Sequence, residues 1–79
     1  MKSLLSLHEA IIIALININK KTFTASFDEI ATYIEKRNLY QERKGGVSLA
    51  IQVMLRSTKS KRKYFYLFEQ IDENHIKIN

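Results

Sequence analysis

Thr22-Phe23-Thr24-Ala25-Ser26-Phe27-Asp28-Glu29-Ile30 is the stretch on which the reading of this chain turns. Thr22-Phe23-Thr24 has the β-branched and aromatic character of a very short strand. Ser26-Phe27-Asp28-Glu29 then has the S-x-x-E form of a capping box. In that motif a serine hydroxyl and a glutamate carboxylate satisfy backbone amides that a helix start leaves unpaired. Asp28 and Glu29 also put negative charge in the first turn, where the helix dipole favours it. The spacing therefore predicts a strand passing directly into a second helix. That helix carries Phe27, Ile30, Ala31 and Ile34 on one face, has Lys36 and Arg37 near its C-terminus, and ends around Asn38.

Upstream, Ser6-Leu7-His8-Glu9 is another S-x-x-E box and predicts a first helix from about Leu7 to Ile18. Leu7, Ala10, Ile11, Ala14, Leu15 and Ile18 recur at three- and four-residue spacing, and Ile12 and Ile13 widen the apolar face, so this helix is buried on more than one side. Ser6, His8, Glu9 and Asn17 interrupt the run, which is shorter than the ~20 apolar residues of a membrane span. His8 and Glu9 also argue against a secretory leader, and no small-residue cleavage site follows. Asn17 to Lys21 is polar enough to end the helix.

Downstream, residues 38–46 read as a connection, with Leu39 and Tyr40 folding back onto the core and Gly45-Gly46 as its flexible point. A third helix is expected from about Val47 to Ser57. Val47, Ala50, Ile51, Met54 and Leu55 form its expected inner face, and Ser48, Gln52 and Arg56, extended by Lys59, its outer stripe. Tyr64 to Ile71 is an aromatic, strand-forming run; Asp72 to His75 makes a turn, and Ile76-Lys77-Ile78 alternates as a half-buried returning strand. The expected fold is thus α+β, a winged helix-turn-helix of three helices and a C-terminal two-stranded hairpin, with a possible short strand between helices 1 and 2.

With 79 residues, 46% of them hydrophobic, the chain can bury one modest core, so residues 1–79 read as one domain. The absence of cysteine excludes a disulfide framework and cysteine-based zinc sites and places the chain in a reducing, cytoplasmic setting. His8 in a helix's first turn and His75 in a turn read as surface polar residues, and no cofactor is implied. The net charge of +5 is segregated: Lys36 to Lys63 holds nine cations and one acid, Glu42, for a local +8, and the other residues sum to −3. A region of one sign attracts an oppositely charged partner, and the polyanion at hand inside a cell is nucleic acid.

The chain resembles the HARE-HTH winged helices from Leu4 to Ile78. The likeness is carried by the apolar first helix with Leu7, Ala10 and Leu15, by Thr24-Ala25-Ser26-Phe27-Asp28-Glu29-Ile30 opening helix 2, and by the aromatic hairpin after Lys63. The resemblance implies a winged-helix fold and a place in transcription, and it points to a protein partner as a plausible alternative to nucleic acid.

In helix-turn-helix proteins the second helix of the motif enters the major groove, which here makes helix 3 the recognition helix. Gln52 suits direct readout, because its amide can pair bidentately with an adenine edge, and Ser48 suits a base or phosphate contact. Arg56 and Lys59 suit phosphate, as do Lys61, Arg62 and Lys63 in a run of five cations and three hydroxyls; Lys44 adds a cation just before the helix. The expected partner is duplex DNA and the expected role a small transcription regulator. Tyr64, Phe65, Tyr66 and Phe68 are either core or a stacking platform for single-stranded bases, with core favoured in so small a chain.

The alternative is a protein-docking module without DNA binding of its own, which predicts an exposed apolar patch around Leu39, Tyr40, Leu49 and Val53. A homodimer through those residues would serve both readings. Enzyme function is not expected, because there is no glycine-rich phosphate loop, cysteine nucleophile, H-E-x-x-H or G-x-S-x-G, and capping explains Asp28 and Glu29. Neither a membrane nor a small-molecule substrate is expected as a partner.

Overall fold

A computed structural model describes residues 5–40, 48–59 and 67–78 of the chain. In order along the chain these form α1 (Leu7–Ile18), β1 (Thr24–Ser26), α2 (Phe27–Arg37), α3 (Leu49–Met54) with a π-helical continuation (Leu55–Lys59), β2 (Phe68–Gln70) and β3 (His75–Ile78). Among the described residues the fold is α+β, with three helices and a three-stranded antiparallel sheet in the order β1-β3-β2.

Both capping boxes form. The Ser6 backbone amide donates to Glu9 Oε1 at 2.9 Å while Glu9 N donates to Ser6 Oγ at 3.4 Å. Ser26 N donates to Glu29 Oε1 at 2.9 Å, and Glu29 N donates to Ser26 Oγ at 3.1 Å. Helices α1 and α2 begin and end where the sequence places them. Helix α2 closes on Asn38, whose φ of 52° lies in the left-handed region. Asn38 N donates to Glu35 O at 3.2 Å and Leu39 N to Ile34 O at 3.1 Å, the paired bonds of a Schellman ending. Leu39 packs against the core as the accompanying apolar contact.

The short strand lies two residues later than expected, at Thr24–Ser26 instead of Thr22–Thr24. Phe23, just before it, has a φ of 55°. Its N–H donates to Asn19 O at 2.8 Å and its carbonyl accepts from Ile78 N at 3.2 Å, so bonds on both sides hold this bulky residue in a region it ordinarily avoids. The chain thereby turns sharply out of the polar Asn19–Thr22 bend before pairing starts. Strand β1 aligns Thr24 with Lys77, Ala25 with Ile76 and Ser26 with His75; β2 aligns Phe68 with Ile78, Glu69 with Lys77 and Gln70 with Ile76. The hairpin expected after Lys63 is therefore present in its described part, with β3 paired on both sides.

The core lies between the helices and the sheet. Ile11, Leu15, Ile30, Ile34, Val53 and Ile76 are its largest fully buried side chains, and Ala10, Ala14, Ala25, Phe27 and Phe68 complete the contact between layers. Small alanines on α1 let α2 and β1 approach it closely. Phe68 is 4% exposed, so this aromatic of the hairpin is core, not a stacking surface. Tyr64, Phe65 and Tyr66 lie outside the described residues.

The left-handed cap is a local test of this architecture. Asn38→Ala is expected to lower stability by about 1 kcal/mol, because a Cβ is disfavoured there and asparagine is tolerated. Asn38→Gly is expected to be neutral or stabilising. Urea denaturation of both variants checks the pair; equal losses in the two would contradict the left-handed ending.

Candidate nucleic-acid interface

Helix α3 starts two residues later than a helix beginning at Val47, because Ser48 is its N-cap: Ser48 Oγ accepts from Ile51 N at 3.2 Å. That cap sets the phase of the helix. Leu49, Gln52 and Val53 are buried at 3%, 6% and 0% exposure, whereas Ile51 and Leu55 are exposed at 47% and 43%. The inner face is thus Leu49, Gln52 and Val53, continued by Ser57, and not the expected set of Ala50, Ile51, Met54 and Leu55. Ala50 and Met54 are half-buried at its margin.

Two hydroxyls accompany the widening of the last turn. Ser57 Oγ donates to Val53 O at 2.8 Å and to Met54 O at 3.3 Å, and Thr58 Oγ1 donates to Met54 O at 2.6 Å. Side-chain donors at i+4 occupy carbonyls that backbone amides would otherwise claim, which suits a wider turn. Ser57 continues the buried stripe of Leu49 and Val53 at four-residue spacing, and Arg56 beside it is half-exposed.

Each expected contact residue can now be placed. Gln52 is a correction: it faces the core, and none of the buried side-chain polar atoms among the described residues lacks a hydrogen-bond partner. An amide held there is not presented to a base edge. Ser48 is exposed, but its hydroxyl is engaged as a cap. Arg56 is half-exposed in the π-helical segment, and Lys59 is that segment's last residue. Lys44, Lys61, Arg62 and Lys63 lie outside the described residues. Ser48 and Arg56 stand at opposite ends of the helix, roughly 12 Å apart at the usual rise per residue.

The expected docking patch also changes. Leu49 and Val53 are buried, and Leu39 and Tyr40 pack partly against the core, so these four do not form an exposed apolar surface. The exposed apolar side chains of α3 are Ile51 and Leu55 instead. The sequence contains the signal for this inversion, in Ser48 as a cap residue and in Ser57 and Thr58 as a hydroxyl pair. The greater apolar content of the other face obscures it.

The π-helical segment packs against β2, which brings the end of α3 to the hairpin. The hairpin turn is organised by Asp72, whose Oδ1 accepts from Asn74 N at 2.8 Å and His75 N at 2.9 Å and lies 2.9 Å from His75 Nδ1. The donated amide of Asn74, then the His75 side chain, hold the Asp72 carboxyl below its ordinary range. At the start of α1, the Ser6 backbone amide does the same to Glu9. Among the described residues no group of three or more His, Cys, Asp or Glu side chains comes together in a metal-binding arrangement, and no helix is long and apolar enough to cross a membrane. Compared with protein-family models, characterised proteins and solved structures, the chain matches none of them significantly.

Two measurements follow from these placements. Gln52→Ala is expected to cost about 1–3 kcal/mol of stability, as loss of a buried bonded polar group does, while leaving the nucleic-acid affinity of the folded protein unchanged. A lost affinity at full stability would return Gln52 to the interface. Asp72, with its folded-state pKa lowered, contributes stability that is present above the ordinary carboxylate pKa and is lost as pH falls through the folded value. Thermal midpoints measured from neutral pH into the acid range are expected to fall more steeply for the wild type than for Asp72→Asn. Parallel curves would show that the carboxylate does not stabilise the turn.

Proposed function

We propose that this chain is a small winged-helix protein of the HARE-HTH kind that binds nucleic acid, duplex DNA above all, and acts in transcription. The observation that carries the reading is the local charge of +8 from Lys36 to Lys63, set against −3 for the remaining residues. Its densest part, Arg56 to Lys63, connects the end of the third helix to the hairpin in the chain. Three helices followed by an antiparallel hairpin, with the third helix packed on the second and its end against β2, suit the winged-helix arrangement. The sequence resemblance to HARE-HTH proteins supports the same fold.

The burial of Gln52 alters the mechanism. With Ile51 and Leu55 outward and Gln52 inward, the described part of α3 offers little hydrogen-bonding capacity to base edges. Binding then rests on phosphate: Arg56, Lys59, Lys61, Arg62 and Lys63 supply the charge, with Lys44 and Ser48 as contacts at the start of the helix. Such binding releases counterions, depends steeply on salt and tolerates sequence. No cofactor or catalytic step belongs to this reading.

A second reading has an observation of its own. Ile51 and Leu55, one turn apart and both more than two-fifths exposed, form an apolar strip on the helix that should face DNA, and this favours a protein-docking role. Fluorescence anisotropy with a mixed-sequence duplex separates the two. The wild type is expected to bind at low salt and weaken steeply as salt rises. Substitution of Lys59, Lys61, Arg62 and Lys63 by alanine is expected to abolish most binding and reduce the log–log salt slope by about three to four. A folded wild type that binds no duplex even at low salt would sink the nucleic-acid reading and leave protein docking.

A further inference from the structure

At the end of the sheet opposite the hairpin turn, the bend between α1 and β1 is tied down along its length. Asn19 Oδ1 accepts from Lys21 N at 3.1 Å and from Thr22 N at 3.2 Å, and Thr24 Oγ1 donates to Thr22 O at 3.3 Å. Phe23 N donates to Asn19 O at 2.8 Å, and the Phe23 carbonyl accepts from Ile78 N at 3.2 Å. These bonds hold Phe23 at a φ of 55°, outside the buried core and 37% exposed, with Lys20, Lys21 and Thr22 exposed before it. A glycine would make the same turn without the backbone cost, so the cost is accepted for a bulky ring that the core does not take up.

The charge around the bend sets the sign of a ligand. Lys20 and Lys21 make no ion pair among the described residues. Lys77, aligned with Thr24, adds a third cation, 4.0 Å from Glu69 Oε1. These three are most of the positive charge outside Lys36 to Lys63, gathered at one end of the sheet, whereas the hairpin turn at the other end exposes Asp72 and Glu73.

We propose that this bend is a binding site for single-stranded nucleic acid, with one unpaired base stacked on the Phe23 ring, the neighbouring phosphates held by Lys20 and Lys21, and the Thr22 hydroxyl donating to a phosphate oxygen. An aromatic face stacks with any base but is offered only an unpaired one, because bases within a duplex are already stacked on each other. The site is therefore distinct from the duplex-binding surface proposed above and stands whether or not that surface binds. An acidic peptide would satisfy the lysines and leave the ring without a planar partner. An anionic bilayer binds in proportion to the apolar area it buries, and Asn19, Thr22 and the two lysines leave a single ring to insert. The backbone of the bend is already ordered, so little of its conformational freedom is lost on binding.

NMR of the full chain titrated with an oligothymidylate decamer tests this. Saturable amide shifts are expected at Lys20 to Thr24 and at Lys77, with the Phe23 ring protons moving upfield as a base stacks over them. An abasic strand of equal length and the matching duplex are expected to leave the ring protons nearly unmoved. Phe23→Ala is expected to weaken binding at the bend about tenfold, the loss of one stacked base, and Phe23→Tyr to retain it. The Lys20→Ala, Lys21→Ala double variant is expected to weaken it comparably and to lessen its salt dependence. Circular dichroism shows whether each variant stays folded, and the ring-proton shift of the wild type tests the stacking without any variant. No shift at the bend, an equal ring response to the abasic strand or the duplex, or full binding by a folded Phe23→Ala would overturn the proposal. An equal response to polyglutamate would assign the bend to acidic protein, and one to phosphatidylglycerol vesicles would assign it to a lipid surface; either would also overturn it. Duplex-induced shifts at Arg56 and Lys59, with none at the bend from the single strand, would reject this site and leave the duplex reading intact.

Discussion

Ser26 holds the two layers together. Its backbone is the last residue of β1, aligned with His75, while its hydroxyl caps α2 by accepting from Glu29 N at 3.1 Å. The next residue continues the link, since Phe27 N donates to Asn74 O at 2.9 Å. The free amides at the start of α2 are thus satisfied partly by its own capping box and partly by the hairpin. Helix and sheet cannot be displaced independently without exposing unpaired backbone groups, which is costly in the interior. Ala25, buried between the capping serine and the polar bend, leaves room for β3 to carry Ile76 into the core. The positions of α2, of the hairpin and, through α2, of α3 follow from this junction.

What the sequence reveals well is what local chemistry decides. A capping box acts within four residues, and both are legible as S-x-x-E; helix ends follow from the polar bend after Ile18 and from Asn38, a residue that tolerates left-handed backbone. The buried faces of α1 and α2 are legible because each has one stripe clearly more apolar than the rest. The early strand is legible only in kind. Thr22-Phe23-Thr24 has strand composition, but the bond that Phe23 N donates to Asn19 O and the one its carbonyl accepts from Ile78 N make it the turn that precedes pairing. Its displacement is a long-range effect, set by where the returning strand lies.

Helix α3 shows where local reasoning stops. It carries apolar residues nearly all round, so two faces compete: Leu49 with Val53, and Ala50, Ile51, Met54 and Leu55. Counting apolar residues selects the second. Packing against α2 selects the first, with Gln52 taken into the interior beside Val53 and an aliphatic strip left outside. Burying a glutamine in exchange for exposing isoleucine and leucine runs against simple transfer free energy, and the chain tolerates it because the buried polar side chains are hydrogen-bonded. The outward aliphatic strip is therefore the part of α3 that sequence periodicity misassigns.

The same inversion shapes how charge and apolar surface divide the molecule's work. Had Gln52 and Ser48 faced outward with Arg56, one helix face would have combined base-reading and phosphate-holding groups. With Gln52 inside, the cations gather towards the end of α3 and the connection that follows, and the carboxylates of α2 border its beginning. Attraction of a polyanion falls off over about a Debye length, roughly 8 Å at physiological salt, which is shorter than the rise between Ser48 and Arg56. The exposed aliphatic side chains Ile51 and Leu55 lie between those two regions. That strip stays outside because the core occupies only one side of α3.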